Sequence, residues 1–289
     1  MVSEITVLDG GLSTQLEKEG AHFSGSLWTG RAVLDQPELV ERAHRAFIDA
    51  GADIISTASY QLSRSGFVLS GLREEDADRA LASSVDVARQ AVRGTKARVA
   101  ASIGPWGATL HDGSEYRGNY GKSQEFLENF HKERLAVLVE AKPDLCAVET
   151  IPDITEARAI CRVMTEFPGI SFWISFSCSS PTQLASGDKL RDAVEAIKDT
   201  PGLMAAGVNC VAPDYVASLV AQMRFASDLP IVVYPNKGGT WNPQSGQWEG
   251  QSAKSLASWA GEWVEAGASR VGGCCGYDAS AIRELARSL

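Results

Sequence analysis

Apolar residues in this chain fall in short runs that alternate with longer amphipathic stretches. The runs lie at residues 5–8, 53–57, 98–103, 144–148, 171–176, 204–208, 230–234 and 269–272. Each has the length and composition of a buried strand, and most end in a polar or glycine-containing turn. Between them the apolar spacing becomes helical. Leu39, Val40, Ala43, Phe47 and Ala50 follow a start at Asp35, with Pro37 and Glu38 in the first turn and Gly51 as the stop. Further helices are predicted over 74–92, 123–138, 153–167, 190–197, 213–223 and 252–266, with a closing helix capped by Asp278. Asp153 and Glu156 have the spacing of a capping box. Residues 106–122 are rich in glycine and aromatics without a period, which predicts a functional loop or lid.

Alternating strands and helices predict parallel pairing, and eight repeats predict an α/β fold closed into a (β/α)8 barrel. No linker-like stretch divides residues 1–289, so one domain is expected. Such barrels carry their chemistry at the carboxyl ends of the strands. The polar residues expected there are Asp9, Thr57, Glu149, Asn209, Cys210, Asn236, Cys274 and Cys275.

The segment Gly272-Gly273-Cys274-Cys275-Gly276 adds candidate chemistry. Neighbouring side chains of an extended segment point to opposite faces, so a regular strand cannot aim both thiols at one point. Flanking glycines, with their wider backbone freedom, allow a turn that does. A vicinal disulfide is the rival, but it is strained and favours an oxidising setting. A metal ion is favoured. Cys210, at the end of the sixth strand, supplies a third sulfur on the same face. Three thiolates suit Zn2+ and leave a fourth position open, as catalytic zinc sites do. Cys146 and Cys161 are expected to pack in the core, and Cys178 is ambiguous.

The bulk properties narrow the function further. The net charge of -9 lacks the basic footprint of a nucleic-acid protein. No apolar run is long enough to span a membrane, and the first residues do not resemble a signal peptide. With 6 cysteines in 289 residues, reduced thiols and a cytoplasmic location are expected. Of the 4 histidines, His44 and His131 fall in helix patterns and are expected at the surface, whereas His22 and His111 fall in loops. Lys237, beside the seventh strand end, is the residue a Schiff-base aldolase would need, but that alternative leaves three converging cysteines unexplained. A thiol- or zinc-binding sensor is the non-enzymatic alternative.

Several segments together resemble the homocysteine S-methyltransferases along essentially the whole chain. They are Asp9-Gly10-Gly11-Leu12-Ser13-Thr14-Gln15-Leu16-Glu17, Thr57-Ala58-Ser59-Tyr60-Gln61, Asp112-Gly113-Ser114-Glu115-Tyr116-Arg117-Gly118, Glu149-Thr150, Gly207-Val208-Asn209-Cys210, Tyr234-Pro235-Asn236 and Gly272-Gly273-Cys274-Cys275. The most similar branch is the single-domain type that uses S-methylmethionine and accepts S-adenosylmethionine. The resemblance implies methyl transfer from such a sulfonium donor to homocysteine, with zinc on Cys210, Cys274 and Cys275. It implies that Glu149 and Asp9 hold the amino group of homocysteine and that the Gly10 backbone and Thr57 hold its carboxylate. Asn209 and Asn236 are implied as further substrate contacts. Aromatic residues suited to the donor cation are Trp28, Trp106, Tyr116, Tyr120 and Trp241. Gly25 departs from the branch, which usually has an acidic residue before Ser26-Leu27-Trp28. Oligomeric state has no signature in the sequence.

Overall fold

The computed structural model describes residues 5–21, 28–238, 240–242, 247–249 and 254–289. Eight strands form one parallel sheet: β1 (Thr6–Val7), β2 (Ile54–Ser56), β3 (Arg98–Ile103), β4 (Leu145–Ile151), β5 (Phe172–Phe176), β6 (Leu203–Asn209), β7 (Ile231–Tyr234) and β8 (Ala268–Val271). Each pairs with its neighbour in chain order, and β8 returns to β1 through Thr6 opposite Arg270 and Val7 opposite Val271. A parallel bridge between Leu8 and Ile54 joins β1 to β2, with the Asp9 N–H donating to the Ile54 carbonyl at 3.1 Å. The sheet therefore curls into a nearly closed barrel with helices around it, the (β/α)8 architecture expected from the alternation.

The apolar positions divide into two principal layers. Leu8, Ile54, Ala147, Trp173 and Val232 belong to one buried cluster, inside the barrel. The larger cluster, with Phe47, Leu81, Leu135, Ile160 and Leu219, joins the strands to the helices outside. Both faces of each strand are thus buried, which is why the strands read as continuous apolar runs.

Some helices lacked a clear signal. Leu12–Lys18, Trp28–Asp35 and Arg64–Leu69 are helical, and the loop after β3 contains two short 3-10 turns, Trp106–Leu110 and Ser114–Tyr116. The helix expected from residue 252 begins at Leu256, with Ser255 as its cap, and residues 250–253 lie outside the described residues. Asp153 does cap its helix, accepting from the Glu156 N–H at 2.8 Å. The Glu156 carboxylate does not complete the box. It accepts instead from the Trp106 N–H at 2.6 Å and contacts His131 Nε2 at 2.9 Å.

His44 and His131 are buried, contrary to the surface placement expected of them. His131 and Arg134 sit between Leu127, Leu135 and Leu138 on the inward face of helix Gln124–Glu140. His44 sits between Val40 and Phe47 on the inward face of Pro37–Asp49. Helical spacing alone put both rings inside. Arg134 donates to the carbonyls of Gly104 at 2.8 Å and Tyr60 at 2.8 Å, and so ties the turn after β2 to the end of β3.

Candidate functional site

The carboxyl ends of the strands surround a cavity of about 180 Å³. Asp9 and Gly10 from the end of β1, Thr57 beyond β2, Glu149 from β4, Asn209 and Cys210 from β6, and Cys274 and Cys275 beyond β8 all line it. Among the described residues lining it there is no lysine, arginine or histidine.

The three sulfurs of Cys210, Cys274 and Cys275 lie within 4.8 Å of one another. Backbone hydrogen bonds fix the turn that carries two of them: Cys274 N–H donates to the Pro235 carbonyl at 2.8 Å, and Lys237 N–H to the Cys275 carbonyl at 2.9 Å. Cys210 has a positive φ of 49°. The glycines of this turn serve close packing rather than left-handed backbone. A Cβ on Gly272 would lie 2.6 Å from that of Leu8, and one on Gly273 would lie 2.7 Å from that of Tyr277. Only Gly276 has a positive φ, 87°.

The Cys210 and Cys274 sulfurs are close enough to pair as a disulfide, with Cα atoms 5.8 Å apart. Cys146, Cys161, Cys178 and Cys275 are free. Cys274 and Cys275 are not bridged to each other; their sulfurs are 3.9 Å apart. That spacing is close to the edge of a tetrahedral site with Zn–S bonds of about 2.3 Å, roughly 3.8 Å. The donor set therefore fits a thiophilic metal, provided the Cys210–Cys274 pair is reduced, because only thiolates ligate. Cys178 lies outside the cluster.

The acidic groups are buried nearby. Asp9 accepts from the Ser56 N–H at 2.7 Å. Burial pushes its carboxyl up to about 8, and the charge of Glu149 adds to this. Glu149 accepts from the Ser102 hydroxyl. Burial raises its pKa too, partly offset by hydrogen bonds from Ser102 and Tyr234.

Other expected contacts are already engaged. The Ser59 hydroxyl donates to the Ser102 carbonyl at 2.7 Å, so the Thr57 hydroxyl donates to Ser59 across 2.6 Å and accepts from the Ser102 N–H at 3.0 Å. Thr57 thus has no proton left for a substrate carboxylate. Asn209 spends both ends of its amide on Thr150, and it also accepts from Ser175 Oγ at 2.8 Å. Asn236 does not line the cavity; its amide donates to the Cys210 carbonyl at 3.4 Å and accepts from the Gly238 N–H at 3.0 Å. Lys237 does not line it either. Trp106 and Tyr120 stack edge-on 5.1 Å apart, outside the cavity. Tyr116 does line it. The side chains of Trp28 and Trp241, together with Gly25, lie outside the described residues.

Residues that sequence reasoning did not single out are Tyr60, Glu115 and Tyr234, all of which line the cavity. Tyr60 and Glu115 stand in segments quoted for the resemblance and Tyr234 ends the seventh strand, but nothing in their spacing marks which side chains turn inward.

A parallel barrel whose strand ends gather three thiols and several carboxylates around one cavity defines a class of protein, a barrel with a metal-competent thiol centre at its functional face. Residues 6–289 match the homocysteine S-methyltransferase family profile. A homocysteine S-methyltransferase of Bacillus subtilis is 39% identical, the alignment covering 98% of this chain and 93% of that protein. The metallated form of homocysteine methyltransferase MmuM from Escherichia coli superimposes with a TM-score of 0.90 at 34% identity, covering 99% of this chain and 97% of that one. Its oxidized form gives a TM-score of 0.89 at the same identity, covering 99% and 96%. The chain belongs to the homocysteine S-methyltransferase family.

Proposed function

We propose that this protein transfers a methyl group from S-methylmethionine, or less efficiently from S-adenosylmethionine, to the sulfur of L-homocysteine, forming methionine. The observation that carries this is the convergence of Cys210, Cys274 and Cys275 at a cavity whose charged side chains are all acidic. Cys210, Cys274 and Cys275 would hold a zinc ion, which would supply a positive charge that favours the homocysteine thiolate at neutral pH.

The chain's own residues do the rest. Glu149 and Asp9 hold the ammonium of homocysteine, and the buried carboxyls gain a counter-charge when it arrives. Thr57, engaged with Ser59 and Ser102, shapes the wall, and the Gly10 backbone faces the substrate carboxylate. Gly10 admits no side chain, since a Cβ there would lie 2.4 Å from the Tyr277 carbonyl oxygen. Asn209 and Asn236 position the cysteine-bearing turn and its neighbours rather than the substrate.

In the reaction the homocysteine thiol gives up its proton to solvent, and its sulfur attacks the donor methyl carbon. The bond from that carbon to the sulfonium sulfur breaks, its electron pair stays with the leaving sulfur, and a neutral thioether departs. No general acid is needed, which agrees with a site built on orientation and charge. We assign the whole of residues 1–289 to one homocysteine-binding barrel domain, acting in the cytoplasm. No helix among the described residues is long and apolar enough to cross a membrane.

The test is methionine formation by reduced, zinc-supplied protein from homocysteine and each donor. Turnover with S-methylmethionine supports the assignment; no turnover with either sulfonium overturns it.

A further inference from the structure

Glu115 lines the cavity with only 9% of its surface exposed, yet one carboxylate oxygen, Oε2, is buried without a hydrogen-bond partner. Its sequence neighbours explain why. Arg117, the nearest cation in the chain, is occupied elsewhere: it pairs with the Asp112 carboxylate at 3.2 Å and donates to the Ser114 hydroxyl at 2.9 Å. This turn holds Arg117 outward in solvent and Glu115 inward. Gly113 and Gly118, with φ of 76° and 64°, permit the bend, and the Ser177 hydroxyl fixes the Glu115 carbonyl to the end of β5 at 3.0 Å.

The carboxylate is therefore presented by a braced turn that commits Arg117 to Asp112, and burial raises its pKa. It stands at the same cavity as the thiols, close enough for its charge to act on Cys275 and on Tyr60. Glu149 and Asp9 have hydrogen-bond donors of their own; Glu115 Oε2 has none. A buried carboxylate oxygen without a partner costs stability unless a cation completes it. The cationic group of the reaction that has no acidic partner so far is the donor.

We propose that Glu115 is the counter-charge for the cationic methyl donor, setting selectivity for a sulfonium over a neutral thioether. This rests on the methyl transfer proposed above. With Tyr60 and Tyr116 beside it, the carboxylate forms a pocket wall that is both anionic and aromatic, a combination suited to an onium ion. The leaving thioether is neutral, so the same contact weakens once the methyl group has moved and favours release of product.

The experiment compares the parent with Glu115→Gln and Glu115→Asp, all zinc-loaded, in steady-state assays with S-methylmethionine and homocysteine varied separately. Trimethylsulfonium serves as an inhibitor probe carrying the cation alone. Glu115→Gln is expected to lower kcat/KM for the donor about tenfold or more and to weaken trimethylsulfonium inhibition by a similar factor. The homocysteine KM and zinc content should stay near the parent's, the melting temperature of the donor-free protein should not fall, and Glu115→Asp should retain most donor efficiency. Equal donor kcat/KM and equal inhibition in parent and Glu115→Gln would overturn the proposal, as would a matching loss in homocysteine KM. A parent that makes no methionine would instead overturn the proposed function.

Discussion

Asn209 grips Thr150 with both ends of its amide: Oδ1 accepts the Thr150 N–H at 2.7 Å, and Nδ2 donates to the Thr150 hydroxyl at 2.8 Å. Thr150 has a φ of 62°, a left-handed conformation that a β-branched residue adopts only under constraint. Glu149 precedes it and Cys210 follows Asn209, so one side chain braces both a carboxylate and a thiol of the site.

Asn209→Ala should accordingly destabilise the fold by about 2–3 kcal/mol, because a buried N–H and the Ser175 hydroxyl lose their acceptor. Adding Thr150→Gly removes the cost of the left-handed backbone and should restore about 1 kcal/mol. Urea unfolding of the single and double variants measures both. A further loss on adding Thr150→Gly would mean that Thr150 is not held under strain.

The thiols give a second expectation. Cys210→Ala, Cys274→Ala and Cys275→Ala should each lose most bound zinc and most activity while keeping barrel circular dichroism. Cys161→Ala, a core substitution outside the cluster, should keep both at a modest stability cost. Full zinc content in all three site variants would remove the metal assignment.

Substrate grip is tested at Glu149. Glu149→Ala should weaken homocysteine binding by about 2 kcal/mol or more and leave zinc in place. Isothermal titration of the zinc-loaded variant checks this; unchanged affinity would transfer the role to Asp9.

His44 supplies a pH-dependent expectation. Burial pushes its ring from the ordinary 6.5 down to about 4, and neither nitrogen has a partner. The native state thus favours the neutral ring. That contribution is complete above pH 6.5 and is lost as pH falls from 6.5 through 4. His44→Leu should cancel about 3 kcal/mol of the acid-induced loss across that window. Urea unfolding at pH 7 and at pH 4 gives the comparison. An unaltered pH dependence would show that another group governs it.

Much of this was legible in the sequence because a parallel barrel buries both faces of its strands. The eight apolar runs mark the eight strands, and the residues just after them fall at the functional face; Asp9, Glu149 and Cys210 were placed that way. What escaped were contacts made between elements distant in sequence. Thr57 had the right position, but its proton is consumed by Ser59, three-dimensional information that no spacing contains. Asn236 lies at a strand end and braces Cys210 from behind the wall. The histidines were misjudged for a different reason. Polarity argued for the surface, while the helical positions of His44 and His131 put them inside. Glu115 shows the limit most clearly, since only the Asp112–Arg117 pairing reveals that its nearest cation in sequence is committed elsewhere.

Donor choice is a further expectation. S-methylmethionine should give a higher kcat/KM than S-adenosylmethionine, because the wall around Tyr60, Glu115 and Tyr116 suits a small sulfonium. The Gly25→Asp variant should widen that preference if an acidic residue at this position helps to place the donor. Parallel assays with the two donors decide it, and a parent that favours S-adenosylmethionine would refute it.

The central claim is that three cysteine thiolates hold zinc with one position kept for the homocysteine sulfur. Zinc-edge X-ray absorption on the reduced, zinc-loaded protein tests it most directly. Three sulfur neighbours at about 2.3 Å plus one lighter ligand are predicted for the protein alone, and four sulfurs once homocysteine is added. A coordination shell that already contains four sulfurs, or one that homocysteine leaves unchanged, would contradict it.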